Sequence, residues 1–343
     1  VRIGYLIRHL VREAPEKVVF EFSRQGSLAL CHEQQGSDMG LAGGLLGFAM
    51  EDSRLADSIR LAKEAGICLE FPITNDPVSH PNLYRFVATG GGHIVSGEAI
   101  STGGGMITLQ QVNGFAVDIN GGFYETLCFL GQQPLPTVED ILARLMERLT
   151  PANSISKHHN ATGETLLLIQ SRQPLALDLL NGLPIAESIS LPPVLPILSQ
   201  KIYPPLYHTA AEIETIAATE GLSLWEIAIR YEAARGGITP AEVLAKMDRL
   251  VSIIEHTIAK VSLAPKDFPN RILGPQAHRL AHAPLFPNPP FNEAIRHITW
   301  LMEAKSSLEV IVAAPTAGSC GCLPGTLLGV AKSLDLPREA VIK

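Results

Sequence analysis

A cysteine surrounded by small residues and hydroxyl side chains lies in the stretch IVAAPTAGSCGCLPGTLL, residues 311–328. Cys320 has glycine neighbours, which let a backbone approach a bulky group closely. Thr316 and Ser319, with the free N–H groups of such a turn, would suit an anion or a carboxylate. Cys320 could be a buried structural thiol, a nucleophile, or a metal or iron–sulfur ligand. No Cys-His pattern accompanies it, and the residue types alone do not choose among these three interpretations.

The elements that would position this cysteine can be predicted on both sides of it. The apolar run of residues 311–314 predicts a strand or a buried helix that ends at Pro315. Pro324 and Gly325 are expected to close the loop. A helix is then predicted from apolar residues at helical spacing, namely Leu327, Leu328, Val330, Ala331 and Leu334.

Composition limits the class of protein. The chain has 343 residues, of which 46% are hydrophobic and 18% charged, so we expect a globular protein of two or three domains. The net charge of −7 disfavours non-specific binding to nucleic acid. No apolar run approaches about 18 residues, so no membrane span is expected, and the start shows no signal-peptide pattern. Five mostly isolated cysteines are typical of a reducing, cytoplasmic location.

The segment APTAGSCGCLPG, residues 314–325, resembles the cluster loop of the iron–sulfur L-serine dehydratases. In that family a similar A-P-T-x-G-x-C-G segment supplies one cluster cysteine. Four more segments resemble the family in the same order along the chain: GSLA at 26–29, QQGSD at 34–38, HPN at 80–82 and STGGGMI at 101–107. The resemblance covers nearly the whole chain and is weakest over residues 123–208.

The resemblance implies an L-serine ammonia-lyase that converts L-serine to pyruvate and ammonia. In the family a [4Fe–4S] cluster is held by three cysteines, and its open iron acts as a Lewis acid on serine while a protein base removes the α-proton. Carried over to this chain, it implies Cys320 as a metal ligand. Thr316 and Ser319 are predicted to bind the substrate because their hydroxyls would suit its carboxylate. The resemblance identifies no general base, although Glu232 occupies a position from which a family glutamate could approach the site. It also implies a homodimer.

Several positions depart from the family pattern. Gln34 and Gln35 replace the Gly and His of a G-H-G-T-D loop, and Pro275 and Gln276 replace a Gly and an Asp. Lys305 begins KSSLE where the family has N-A-A-x-G. These departures favour one alternative, a diverged, non-catalytic paralogue that senses an amino acid. Another alternative is a related iron–sulfur lyase, such as a cysteine desulfidase.

The predicted fold class is α+β, with four segments. Residues 1–122 alternate helices and strands and resemble the β region of the dehydratases. Residues 123–198 follow the order β-α-β-β-α-β and resemble an ACT domain, a module that often binds amino acids. Residues 199–208 form a proline-rich linker. Residues 209–343 are expected to be helical and to form the front of the catalytic region.

Both ends are expected to be truncated, because helical patterns run into residue 1 and start again at Pro337. By the resemblance, the remaining cluster ligands lie beyond residue 343, so we expect this chain alone to form no stable cluster and to be inactive. Three histidines near the predicted site, His278, His282 and His297, have irregular spacing that does not match a zinc signature. They are expected to be structural or surface residues.

Overall fold

The computed structural model describes residues 1–131, 135–150, 153–195, 205–263, 275–282 and 285–343. Within these ranges it contains two β-sheets and twelve α-helices, which confirms the α+β class. The chain folds as two compact units. One unit comprises residues 1–102 and 106–198, and the other comprises residues 103–105 and 199–343.

The first unit is built on a sheet whose strands run in the order β2-β1-β4-β5-β6-β7, with β3 also paired to β1. Strands β2 and β3 are parallel to β1, whereas β4 is antiparallel to it. The sequence patterns leave residues 106–119, which form β6 and β7, unassigned. The elements are α1 (Arg2–Leu10), β1 (Lys17–Ser23), α2 (Leu28–Cys31), α3 (Ser37–Leu45), α4 (Ser58–Glu64), β2 (Cys68–Glu70), β3 (Ile73–Thr74), β4 (Leu83–Gly90), β5 (His93–Gly103), β6 (Met106–Val112) and β7 (Phe115–Ile119).

The alternation of buried and less buried side chains along β1 explains why one face of this strand lies in the core. Val18, Phe20 and Phe22 are fully buried, as expected for a strand with one face on the core. Helices α1 and α3 pack against each other closely at Gly4. A Cβ on Gly4 would lie 2.2 Å from the carbonyl oxygen of Leu41, so only glycine allows this approach of the two backbones.

A second, four-stranded sheet follows, with order β11-β8-β10-β9 and every neighbouring pair antiparallel. Numbered from β8, this is the 4-1-3-2 order of the split β-α-β motif. The predicted second helix over 175–180 is only a 3₁₀ turn, Leu177–Leu180. The elements are β8 (Tyr124–Gly131), α5 (Leu135–Arg148), β9 (Ser154–His159), β10 (Thr165–Ser171) and β11 (Glu187–Leu191).

The hydrophobic core continues from the first sheet onto the second. One face of the second sheet, including Cys128 and Leu167, packs with Ile141 of α5. Its other face, including Leu127 and Leu168, belongs to the same buried cluster as the core of the first sheet. The predicted boundary at residue 122 therefore crosses a shared core, and the ACT-like assignment stays a prediction.

The second unit is helical in its described residues, as its sequence pattern predicts. Capping boxes begin two of its helices, with Thr209 and Glu212 at α6 and Ser223 and Glu226 at α7. Residues 199–204 of the predicted linker lie outside the described residues. The elements are α6 (Ala210–Glu220), α7 (Leu224–Gly236), α8 (Pro240–Leu263), α9 (Ala277–His282), α10 (Pro289–Ser306), α11 (Cys322–Ser333) and α12 (Arg338–Ile342).

A helix that spans a membrane needs about 20 consecutive residues that are predominantly apolar. Among the described residues, no helix combines enough length and apolarity to meet this requirement.

Candidate functional site

The turn that carries Cys320 connects an irregular segment to α11. The strand or buried helix predicted over 311–314 is wrong, since these residues adopt no regular structure. Helix α11 begins at Cys322, so Pro324 and Gly325 lie in its first turn rather than in the loop. A proline is tolerated there because the first N–H groups of a helix have no intrahelical partner.

The two hydroxyls of the turn bind to each other and to the loop backbone. Ser319 Oγ donates to the carbonyl oxygen of Ala314 at 2.8 Å. Thr316 Oγ1 lies 3.2 Å from Ser319 Oγ and accepts from the Ser319 N–H at 3.3 Å. The single hydrogen of Ser319 Oγ is thus used inside the loop, whereas the exposed Thr316 hydroxyl can still turn towards a ligand. The substrate-binding roles predicted for both residues stay predictions.

Glycines on α11 bring this helix close to α10 and so position the cysteine. A Cβ on Gly321 would lie 2.9 Å from Met302 Sδ, and one on Gly325 would lie 2.6 Å from the Ile298 nitrogen. A Cβ on Gly329 would meet the backbone of Ala294, also at 2.6 Å. The three glycines are four residues apart and share one helix face. Cys320 directly precedes the first of these glycines and therefore lies next to the contact with α10.

Cys320 is 1% exposed, while the neighbouring Cys322 is exposed. Burial raises the pKa of the Cys320 thiol, and the ammonium of Lys305 partly opposes that rise. A thiol must lose its proton before it can bind a metal. Lys305 therefore favours the thiolate form that ligation requires.

Around Cys320 the described residues do not supply a complete set of metal ligands. No group of three or more His, Cys, Asp or Glu side chains within the described ranges could hold a metal ion. An iron–sulfur cluster bound through protein thiolates needs several of them. The described residues thus fit one cluster ligand, Cys320, and not a whole site.

In the first unit, hydrogen bonds connect three of the segments that resemble the dehydratases. The Ser27 N–H donates to the carbonyl oxygen of Pro81 at 2.8 Å, joining GSLA to HPN. Asn82 Nδ2 donates to the carbonyl oxygen of Ser101 at 3.3 Å, joining HPN to STGGGMI. His80 Nδ1 accepts from the Asn82 N–H at 3.1 Å, which stabilises its own turn. Segments far apart in sequence are thus brought together.

The fourth segment, QQGSD, adds an acid–imidazole pair that the motif comparison overlooks. His32 Nδ1 lies 2.7 Å from Asp38 Oδ1, and the His32 ring packs 4.8 Å from Phe22 between ring centroids. Burial raises the pKa of Asp38, against the lowering effect of His32. Gln35 Nε2 donates to Ser37 Oγ at 2.8 Å. The sequence signal that could have indicated the pair is a histidine shortly before the loop aspartate.

Sequence similarity relates the chain to known proteins. It is 30% identical over 169 residues to the L-serine dehydratase β chain of Peptoniphilus asaccharolyticus, covering 74% of that protein and 48% of this chain. The chain belongs to the L-serine dehydratase family. Residues 219–343 also match the family model described as serine dehydratase alpha chain.

Two further members of the L-serine dehydratase family match parts of the chain. It is 32% identical over 120 residues to the probable L-serine dehydratase β chain of Bacillus subtilis, covering 35% of this chain and 54% of that protein. It is 43% identical over 51 residues to the probable L-serine dehydratase α chain of Latilactobacillus sakei, which is 15% of this chain and 24% of that protein. The chain thus spans about half the length of the Bacillus relative, and it matches both chain types in one polypeptide.

The departure at Gln276 has a local structural explanation. Gln276 stands at the start of α9, where its N–H and that of Ala277 donate to the carboxylate of Glu303, which is 3% exposed. Gly274, which precedes the two departures Pro275 and Gln276, lies outside the described residues. Glu232, the candidate with a family counterpart, is bound by Arg235 at 2.8 Å on its own helix. No described contact brings Glu232 to the Cys320 turn.

Proposed function

We propose that this protein is an L-serine dehydratase that converts L-serine to pyruvate and ammonia, with an iron–sulfur cofactor bound in part through Cys320. The observation that carries the proposal is a buried thiol in an APTAGSCG turn, within a chain that matches both the α and the β chains of the family. Elimination of water from serine followed by hydrolysis of the resulting enamine gives pyruvate and ammonia, and it balances without an oxidant or a reductant.

The cofactor would supply a cation at the departing hydroxide, which stabilises the charge that develops there. The described residues fit Cys320 as a thiolate ligand but supply no group of three or more ligands. The contribution of this chain is therefore to hold Cys320 rigidly through the α10–α11 contact and to favour its thiolate through Lys305. The exposed Thr316 hydroxyl is the group of the turn that remains able to bind a substrate carboxylate.

A second candidate function, a non-catalytic amino-acid sensor, is favoured by two observations. In place of a family histidine, Gln35 donates to Ser37, so a ligand would have to compete for that hydroxyl. In place of a family asparagine, Lys305 is a cation close to the proposed cluster cysteine. A sensor would bind serine without consuming it.

The proposal also covers the cellular location and the oligomeric state of the protein. All five cysteines are free thiols, which suits a reducing compartment, so we propose a cytoplasmic enzyme. A homodimer with L-serine as its substrate stays a prediction from the family resemblance.

Release of pyruvate from L-serine by the polypeptide as its host makes it, purified without oxygen, tests the proposal. The dehydratase should release pyruvate, lose activity on chelation of iron, and show the visible absorption of an iron–sulfur cluster. Cys320→Ser should abolish both signals, whereas Cys322→Ser, at an exposed thiol, should retain them. Serine binding without pyruvate release in a protein that holds no iron would instead support the sensor.

A further inference from the structure

A cavity of about 520 Å³ lies in the second unit among α8, α10, α11 and α12. Small-molecule sites typically measure about 300–1,000 Å³. Lys332 borders the cavity near the C-terminal end of α11, about 15 Å by the helical rise from Cys322 at its first turn. The cavity is therefore separate from the Cys320 turn.

Apolar residues form about half of the cavity wall. Ile258 and Leu328 line it, together with the indole ring of Trp300 and Val341 of α12. Such walls can bury the apolar body of a ligand but do not orient it, because burial of apolar surface is non-directional. Orientation depends on the few polar groups that the cavity presents.

His297 provides an acceptor inside the cavity. It is 5% exposed, and its Nδ1 lies 2.7 Å from the carbonyl oxygen of Glu293, so Nδ1 carries the hydrogen. Burial lowers the pKa of His297, which keeps the ring neutral near pH 7 and leaves a lone pair on Nε2. Among the described residues Nε2 has no hydrogen-bond partner. A ligand that fills the cavity displaces water from this nitrogen, so a ligand that donates to it would be stabilised.

Two cations and two anions line the cavity. The Lys332 ammonium lies 3.9 Å from Glu293 Oε2, and its side chain is 60% exposed. Asp335 lies three residues further on and has no ion-pair partner within the described part of the chain. Arg338 and Glu255 also line the cavity, but they already form an ion pair with each other. Opposite charges at the rim suit a zwitterion.

We propose that this cavity binds an α-amino acid whose large apolar side chain ends in a hydrogen-bond donor. The carboxylate faces Lys332, the ammonium faces Asp335, and the side-chain donor reaches Nε2 of His297. L-tyrosine meets this description, and L-phenylalanine differs from it only by the hydroxyl. The site does not depend on the proposed lyase reaction, because it shares no residue with the Cys320 turn.

Trp300 can report the binding directly. The chain has two tryptophans, so Trp225→Phe leaves Trp300 as the only indole. Titration of this variant of the full chain with L-tyrosine, excited where only indole absorbs, should give a saturable fluorescence change. L-phenylalanine should bind about tenfold more weakly, since it leaves the buried acceptor unpaired. No saturable change, or equal affinity for the two amino acids, would overturn the proposal.

One substitution at the rim of the cavity, with a matched control on the other unit, keeps the test independent of folding. Lys332→Met should weaken tyrosine binding about fivefold, whereas Lys63→Met on α4 of the other unit should leave it unchanged. The same loss should appear when the ligand lacks its ammonium group, as in 3-(4-hydroxyphenyl)propionate. His297→Phe should equalise tyrosine and phenylalanine, and its circular dichroism shows whether the fold is retained. Binding that ignores Lys332→Met contradicts the assigned orientation.

Discussion

The contact between α10 and α11 should fail if one methyl group is added at Gly325. A Cβ at this position would lie 2.6 Å from the Ile298 nitrogen and 2.7 Å from its Cα. Both are backbone atoms of α10, so no side-chain rotation can relieve the overlap. Restoring ordinary carbon contacts near 3.5 Å requires α11 to move away by about 1 Å.

Two opposing effects determine how much the free energy of unfolding falls in Gly325→Ala. Overpacking costs about 1–3 kcal/mol, and a gap of about 1 Å also weakens the contacts at Gly321 and Gly329. Alanine is better than glycine in a helix interior by about 1 kcal/mol. We therefore expect the free energy of unfolding to fall by about 1–2 kcal/mol.

Urea denaturation followed by tryptophan fluorescence measures this loss, because Trp225 and Trp300 both lie in the helical unit. The matched control is Thr326, the next residue of α11, whose side chain is exposed. Thr326→Ala should be more stable than Thr326→Gly by about 1 kcal/mol. This difference measures the helix propensity of alanine relative to glycine without the contact between the helices. If Gly325→Ala is stabilised by that same amount, the close contact between the helices does not exist.

Three other perturbations test separate features. Burial lowers the pKa of His297, and the charges that face this residue are Glu293, Lys332 and Arg296. Its contribution to the free energy of unfolding is therefore present above about pH 6.5 and is lost as pH falls through the lower pKa of the folded state. His297→Phe should remove that pH-dependent component from denaturation curves measured between pH 7 and pH 5. Burial raises the pKa of Cys128 to about 12, so native protein at pH 8 should be alkylated by iodoacetamide at the exposed Cys322 and not at Cys128. Glu303→Gln weakens a buried carboxylate that accepts two backbone N–H groups and should cost about 1–2 kcal/mol of stability, whereas the exposed Glu214→Gln should cost almost nothing.

Local signals were sufficient to predict most of the helical unit. Thr209 and Ser223 cap their helices with the glutamate three residues later, as the sequence pattern indicates. Gly221 ends α6 in the left-handed conformation that favours glycine. Such signals involve neighbours within one turn of helix, and therefore can be recognised without tertiary information.

Features that depend on distant contacts could not be predicted in the same way. The segment 311–314 is apolar enough for a strand, yet it adopts no regular structure, and Thr257 of α8 donates to Val310 just before it. The sharing of one core by the two sheets depends on which face of β8 meets the first sheet. His297 was expected to be structural or at the surface because its spacing lacks a zinc signature. Its cavity is formed by four helices, which no local pattern records.

The loop at 34–38 shows why counting motif departures does not decide between enzyme and sensor. Gln35 stands where the family has histidine, so a comparison of single positions indicates that the imidazole is missing. The structure nevertheless has an imidazole at Asp38, supplied by His32 from an earlier position of the same loop. A site depends on which atoms meet, and here His32 places an imidazole beside Asp38 although position 35 is glutamine. Under the proposed function, an enzyme would hold iron at Cys320 and a sensor would not, so the iron content of the unmodified protein, compared with that of Cys320→Ser, distinguishes the two.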